Sequence, residues 1–122
     1  MLEHLKEAFI NAELIACEFE RDFANNLKDV SEIRILLRSY VNELRNIMAH
    51  YAFNEYPNID MLIDQVYDVA NDIYNDDMMY KNTKYYSYIH SLQDIIFELA
   101  NSFDDKDIYK AIFNSLKLVF NI

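Results

Sequence analysis

Apolar residues recur every three or four positions along most of the chain. One run extends from residue 2 to about residue 26, and a second begins near Val30 and stops before Pro57. Because a helical turn takes about 3.6 residues, this spacing predicts two long amphipathic helices, the second with a capping box at 29–32. The apolar positions are Leu2, Leu5, Phe9, Ala12, Ala16, Phe19 and Phe23, then Ile33, Leu36, Leu37, Tyr40, Leu44, Ile47, Met48 and Tyr51.

Three further helices follow on the same pattern. The third is predicted from about Asn58 to Asp76, the fourth over 89–103 and the fifth over 108–120, the last capped by Asp104 or Asp105. No segment alternates strictly between apolar and polar residues as a strand does. We therefore predict an all-α fold, an up-and-down antiparallel bundle of four to five helices, formed by one domain over residues 1–122.

Composition narrows the functional classes. The chain has 122 residues, 52% of them apolar, and a net charge of −10, which is typical of a globular, acidic protein. It contains no glycine, so a Walker loop, a dinucleotide-binding fingerprint and a nucleophile elbow are excluded. Its single cysteine, the lack of a signal-peptide pattern and the lack of a long apolar run predict a cytoplasmic protein that does not enter a membrane.

Two acidic patterns could carry chemistry. Aspartates recur every four residues along the third helix, and His90 precedes Asp94 by four residues and Glu98 by eight. The aspartate row, Asp60, Asp64, Asp68, Asp72 and Asp76, could hold a metal or imitate nucleic acid, but a solvated face fits it better. A structural His–Asp pair is likewise commoner than a general base. No histidine has the spacing of a di-iron or zinc-hydrolase motif, so we expect no metal and no cofactor.

The basic residues concentrate on the second helix. The segment from residue 33 to residue 53 contains three arginines and one acidic residue, Glu43. Its net charge is therefore +2, in a chain whose net charge is −10. Arg34, Arg38 and Arg45 are four and seven residues apart and fall within about 40° around an ideal helix. Such a row suits the phosphates of RNA, and we predict Arg34 and Arg38 as phosphate-binding residues. The alternative is that the arginines pair with acidic neighbouring helices.

The basic segment contains a short motif. Residues 45–50 read Arg-Asn-Ile-Met-Ala-His, with an arginine, an amide and a histidine within six positions. In this respect the chain resembles the HEPN superfamily, small helical domains marked by an arginine followed by a histidine after four to six residues, often with asparagine next to the arginine. The resemblance implies a metal-independent endoribonuclease in which Arg45 and His50 are catalytic and Asn46 orients the histidine or binds phosphate.

The spacing of the motif bears on assembly. Arg45 and His50 are five positions apart, hence about 140° around the helix, on the side away from the core, and one straight helix cannot bring their tips together. Two copies meeting across a two-fold axis could line one cleft with both pairs. The HEPN resemblance implies such a homodimer with a composite site. There a histidine would move the proton of a ribose 2′-hydroxyl, and an arginine would offset charge on the phosphorane.

One departure concerns the toxin members of this superfamily. They commonly carry tyrosine two residues after the histidine, which a nucleotidyltransferase-type antitoxin modifies, whereas this chain has Ala52 there and Tyr51 before it. A toxin–antitoxin role is therefore a weaker prediction than family membership. Two alternatives stay open: a non-catalytic module with an acidic surface that binds nucleic acid, nucleotide or protein, and a helical bundle in which the motif has no role.

Overall fold

The computed structural model describes residues 2–53 and 59–102, and over these residues the fold is all-α with no strand. Four helices follow one another: α1 over Leu2–Asp22, α2 over Ser31–Ala52, α3 over Ile59–Met79 and α4 over Tyr86–Asn101. Each helix packs against the next, and α4 returns to contact α1. This arrangement confirms the predicted helical bundle.

The core is formed by one face of each helix. Phe19 on α1, Leu44 on α2, Ile73 on α3 and Ile96 on α4 are completely buried. The predicted stripe residues Phe9, Phe23, Leu36, Met48 and Tyr51 are half-buried and pack at the margin of the core. The periodicity of apolar positions therefore identified the inward faces, because a helix in a bundle buries one continuous stripe.

The helix ends depart from the predictions. Helix α1 ends at Asp22 rather than near residue 26, and a short 3₁₀ turn occupies Ala24–Asn26. Val30 is the residue before α2, and no side chain caps that helix, so the predicted capping box is wrong. Val30 is 2% exposed, and its carbonyl accepts the first helical bond, from the Arg34 N–H. Burial of an apolar side chain thus fixes the start of α2 where a polar cap was expected.

Helix α3 extends to Met79, three residues beyond the predicted end at Asp76, because no helix-breaking residue intervenes. The chain then turns through 80–85, where the Thr83 N–H and hydroxyl both donate to the Tyr80 carbonyl. The predicted break at 54–57, the start of the third helix at Asn58, Phe103 of the fourth helix and the fifth helix over 108–120 with its cap at Asp104 or Asp105 lie outside the described residues.

Candidate nucleic-acid interface on helix α2

The motif residues lie on the outer face of α2. Arg45, Asn46 and His50 are all exposed, as their positions relative to the buried Leu44 and Ile47 require. The spacing therefore placed these side chains correctly on the side away from the core, and their chemical roles stay predictions.

Between the motif residues runs a strip without charge. The residues Ile35, Ser39, Asn42, Asn46, Ala49 and Phe53 follow one another at alternating steps of four and three, and all are exposed. Such steps keep a set of residues on one line along a helix. Ile35 is 67% and Phe53 is 76% exposed, so the set has a large apolar side chain near each end. We call these six residues the neutral strip.

One edge of the neutral strip faces α1. Arg38 donates from Nε and Nη2 to the two carboxylate oxygens of Glu20, at 2.7 and 3.0 Å, and from Nη1 to Glu13 at 2.7 Å. Arg34 Nε donates to the same Glu20 at 3.3 Å. Arg45 lies on this edge too, within about 20° of both other arginines on an ideal helix. Two of the three predicted basic residues are thus paired with α1.

These contacts change the protonation equilibria of the groups involved. The hydrogen bond from Arg38 is the main reason that the pKa of Glu20 lies below its ordinary value, and Arg34 adds to the effect. In return, Glu20 and Glu13 raise the pKa of Arg38. The Arg38–Glu20 pair is therefore ionised at neutral pH and joins α1 to α2 through charge-assisted bonds. Within residues 2–53 and 59–102, Arg45 makes no ion pair with a carboxylate.

The other edge of the neutral strip faces α3. His50 falls between the directions of Ser39 and Glu43 around the helix. Ser39 and Glu43 line a groove of about 580 Å³ between α2 and α3, whose α3 wall includes Asp68, Asp72 and Asp76. Arg45 and His50 therefore flank the strip on opposite edges, the arginine toward α1 and the histidine toward an acidic groove.

The floor of this groove is held by a buried tyrosine. Tyr40 is 6% exposed, and its hydroxyl donates to Oδ2 of Asp76. Burial is the largest cause that raises the pKa of Tyr40, followed by the bond to Asp76. The tyrosine stays protonated throughout the physiological range and ties α2 to α3.

The aspartate row is only partly a solvent face. Steps of four residues advance about 40° around a helix, so the row winds across α3. Asp64, Asp68 and Asp72 are exposed, whereas Asp60 and Asp76 are half-buried. The prediction of a solvated face is thus correct for the middle of the row. Its last residue, Asp76, is half-buried and accepts the hydrogen bond from Tyr40.

His90 has a partner that the sequence pattern did not reveal. Its Nδ1 lies 3.0 Å from Oδ1 of Asp77, whereas the predicted partner, Asp94, is 3.8 Å from Nε2. Asp77 is 6% exposed, and the Gln93 side-chain amide, oriented with its nitrogen toward Asp77, donates to both carboxylate oxygens at 3.2 Å. The Tyr86 ring stacks on the His90 ring with centroids 5.1 Å apart. This cluster fixes the orientation of His90 and joins α3 to α4.

Three carboxylates of these networks escaped the sequence reasoning. Glu13 and Glu20 lie seven residues apart on α1, hence on one face of that helix, and Arg38 contacts both. That signal is present in the sequence but needs the α1–α2 pairing to be known. Asp77 follows directly after the aspartate row and falls on the core side of α3, a position where a carboxylate needs a donor.

Comparisons with known proteins give no family for this chain. No model of a protein family matches it, and neither a curated protein nor a solved structure shows significant similarity. In the described helices, no stretch has the length and apolar character needed to cross a membrane. Among the same residues, no group of three or more histidine, cysteine or carboxylate side chains has the arrangement of a metal site.

Proposed function

We propose that this chain is a metal-independent endoribonuclease of the HEPN type that works as a homodimer, with Arg45 and His50 as its catalytic residues. The observation that carries the proposal is their placement: both are exposed, on opposite edges of the neutral strip, with Asn46 and Ala49 between them. A second copy that packed against the neutral strip would meet uncharged side chains along the strip. Arg45 and His50 would then lie at the two edges of the interface.

The chemistry follows from the two side chains. A neutral imidazole takes the proton of a ribose 2′-hydroxyl, the 2′-oxygen forms a bond to phosphorus, and the bond from phosphorus to the 5′-oxygen breaks. The imidazolium formed in this way then gives the proton to the departing 5′-oxygen, so that one histidine and one arginine suffice for the reaction. The guanidinium of Arg45 balances the charge that builds on the phosphorane. The products are a 2′,3′-cyclic phosphate and a 5′-hydroxyl, and no metal takes part.

The surrounding charges set the path of the RNA. The acidic groove on the His50 side repels phosphates, so the backbone would pass along the edge of Arg45. Arg34 and Arg38 extend this edge, and their donors are shared with Glu20 and Glu13. Their contribution to phosphate binding is accordingly electrostatic and modest, and Arg45 supplies the main phosphate contact.

Cleavage of single-stranded RNA in EDTA tests the proposal. Wild type should leave 2′,3′-cyclic phosphate ends, and Arg45→Ala and His50→Ala should each lower the rate at least about 100-fold, the range of lost acid–base or electrostatic catalysis. Arg21→Ala and His4→Ala are matched controls, since both residues are exposed on α1, away from the strip. Activity that survives both motif substitutions, or that needs a divalent metal, contradicts the proposal.

A second candidate function is a non-catalytic interaction module, and the acidic groove between α2 and α3 favours it. Helix α3 carries six aspartates and no lysine or arginine, so it presents a strong negative potential to any partner. Inert wild-type protein that still binds a basic protein, and loses that binding in the Asp68→Asn/Asp72→Asn variant, whose residues line the groove, would favour this function over the nuclease. A further role implied by the HEPN resemblance, a toxin held by a nucleotidyltransferase-type antitoxin, would require modification of Tyr51, which is half-buried.

A further inference from the structure

Helix α3 exposes a line of aromatic and thioether side chains. Tyr67, Tyr74 and Met78 are 42%, 49% and 52% exposed. They lie seven and four residues apart, which keeps them within about 40° of one another and spreads them over about 16 Å of helix. We call these three residues the Tyr/Met stripe. Tyrosine and methionine suit contact surfaces because one combines a large apolar ring with a polar tip and the other adapts its shape.

The stripe is bordered by uncompensated negative charge. Asp64 and Asp68 are exposed beside it, and neither α3 nor α4 contains a lysine or an arginine. In the part of the chain that the structure describes, the ion pairs of the arginines go to carboxylates of α1. Lys84, in the turn before α4, is placed over the rings of Phe23 and Tyr85. Among the described residues, no arginine therefore forms an ion pair with an aspartate of α3.

We infer that the Tyr/Met stripe and its acidic border form a docking surface for a basic amphipathic helix of another protein. Apolar residues of that helix would cover the stripe, and its lysines or arginines would approach Asp64 and Asp68. Charge complementarity selects this occupant. Nucleic acid and anionic lipid are repelled by the same aspartates, and a second copy docked through the same face of α3 would bring the same aspartates against them. The inference does not depend on the proposed nuclease, whose residues lie on α2.

A defined peptide tests the surface, and the absence of tryptophan from the chain makes the assay direct. The probe is a synthetic 18-residue helix with a leucine stripe, lysines on its flanks and one tryptophan. One control peptide has the same composition in shuffled order, and a second carries glutamates in place of the lysines. We expect saturable binding and a blue-shifted tryptophan emission with the amphipathic basic peptide alone.

Variants of the protein assign the binding to α3. Tyr74→Ser should weaken the peptide about tenfold at every salt concentration, because it removes apolar contact. Asp64→Asn/Asp68→Asn should weaken it about fivefold at low salt and flatten the salt dependence. Leu14→Ser, at a 59% exposed site on α1, and Glu7→Gln/Glu18→Gln on the same helix are the matched controls and should bind as wild type does.

Any of the following results would overturn the inference. The first is equal binding of the shuffled basic peptide, which would show attraction to charge without a docking surface. The second is absence of peptide binding, or equal losses in the α1 control variants. The third is self-association of wild type in sedimentation velocity that Tyr74→Ser abolishes, because a second copy would then occupy the stripe. RNA cleavage by wild type is measured separately, so a failure here leaves the nuclease proposal standing.

Discussion

Arg38 on α2 binds Glu20 on α1 through two parallel hydrogen bonds, from Nε to Oε1 at 2.7 Å and from Nη2 to Oε2 at 3.0 Å. This geometry uses the planar fork of the guanidinium, which a lysine cannot reproduce. The third arm of the fork reaches Glu13 at 2.7 Å. The contact is a structural link between two helices, and it occupies donors that the sequence alone assigns to RNA phosphates.

Arg38→Met should destabilise the fold by about 1–2 kcal/mol, because it leaves Glu13 and Glu20 without their shared partner. The side chains of Arg38 and Glu20 are 31% and 22% exposed, which keeps the effect below that of a buried pair. Arg38→Lys should recover only part of the loss, since it restores charge without the fork. Urea denaturation measures the free energy of unfolding. Arg21→Met, whose side chain is 77% exposed, is the control, and an equal loss there would contradict the prediction.

The stability contributed by Glu20 should depend on acid pH. Its pKa in the folded protein lies below the ordinary value of 4.5, so its contribution is complete above about pH 4.5 and disappears as the pH falls through the lowered folded pKa. The difference in free energy of unfolding between wild type and Glu20→Gln should therefore shrink as the pH drops below that point. Urea denaturation between pH 7 and pH 3 provides the measurement. A difference that stays constant over this range would be inconsistent with ionised Glu20 as the partner of Arg38.

The stability contributed by Tyr88 should depend on pH in the opposite direction and should be lost at alkaline pH. Its hydroxyl donates to Oδ2 of Asp22 at 2.6 Å, and burial together with this bond raises its pKa to about 12 from an ordinary value of 10.0. The stabilisation is complete below pH 10 and is lost as the pH rises through the folded pKa. Wild type should lose more stability than Tyr88→Phe between these two values. Tyr74→Phe, at a 49% exposed site, is the control and should follow wild type.

The fold was largely predictable because each helix of the bundle repeats one apolar stripe over about four to six turns. In α2 the stripe from Ile33 to Ile47 is buried as its spacing requires except for the half-buried Leu36, and the exposed motif residues follow from the same periodicity. The helix ends were less predictable. The start of α2 is fixed by the buried Val30 and not by a side-chain cap, and burial of a single residue between helices depends on the tertiary packing.

The chemistry between helices could not be predicted from spacing along one helix. Periodicity indicates that Arg38 and Arg45 share an edge, but it does not say which neighbouring helix faces that edge. The two arginines differ in their contacts with the carboxylates of α1. Arg38 donates hydrogen bonds to Glu20, whereas Arg45 has no carboxylate partner among the described residues. The same reasoning applies to His90, whose near partner, Asp77, lies on another helix. The four-residue spacing along α4 identified only the longer contact of His90, the one with Asp94.

The neutral strip on α2 makes a distinct prediction about assembly. If two copies meet on it, Ala49→Arg should separate them, because a long charged side chain would replace a methyl group in the middle of the strip. The site is exposed, so the substitution should leave the thermal unfolding midpoint within a few degrees of wild type. Sedimentation velocity at micromolar concentration should show a dimer for wild type and a monomer for the variant. Glu7→Arg, an exposed position on α1, is the matched control. A monomeric wild type would contradict the composite site.

Mixing two inactive variants tests whether one cleft is built by both copies. In the proposed dimer, Arg45→Ala and His50→Ala each remove both copies of one catalytic residue. A heterodimer of the two variants retains one arginine and one histidine, contributed by different chains. Equimolar mixing after brief unfolding and refolding should therefore restore measurable cleavage of RNA, by about tenfold or more over either variant alone. Adding Ala49→Arg to both chains should abolish the recovery, because it prevents the chains from meeting. If mixing restores no cleavage although sedimentation shows the heterodimer, Arg45 and His50 do not act together across two chains. Their placement on opposite edges of α2 also keeps them apart within one chain, so the assignment of the pair would then be wrong.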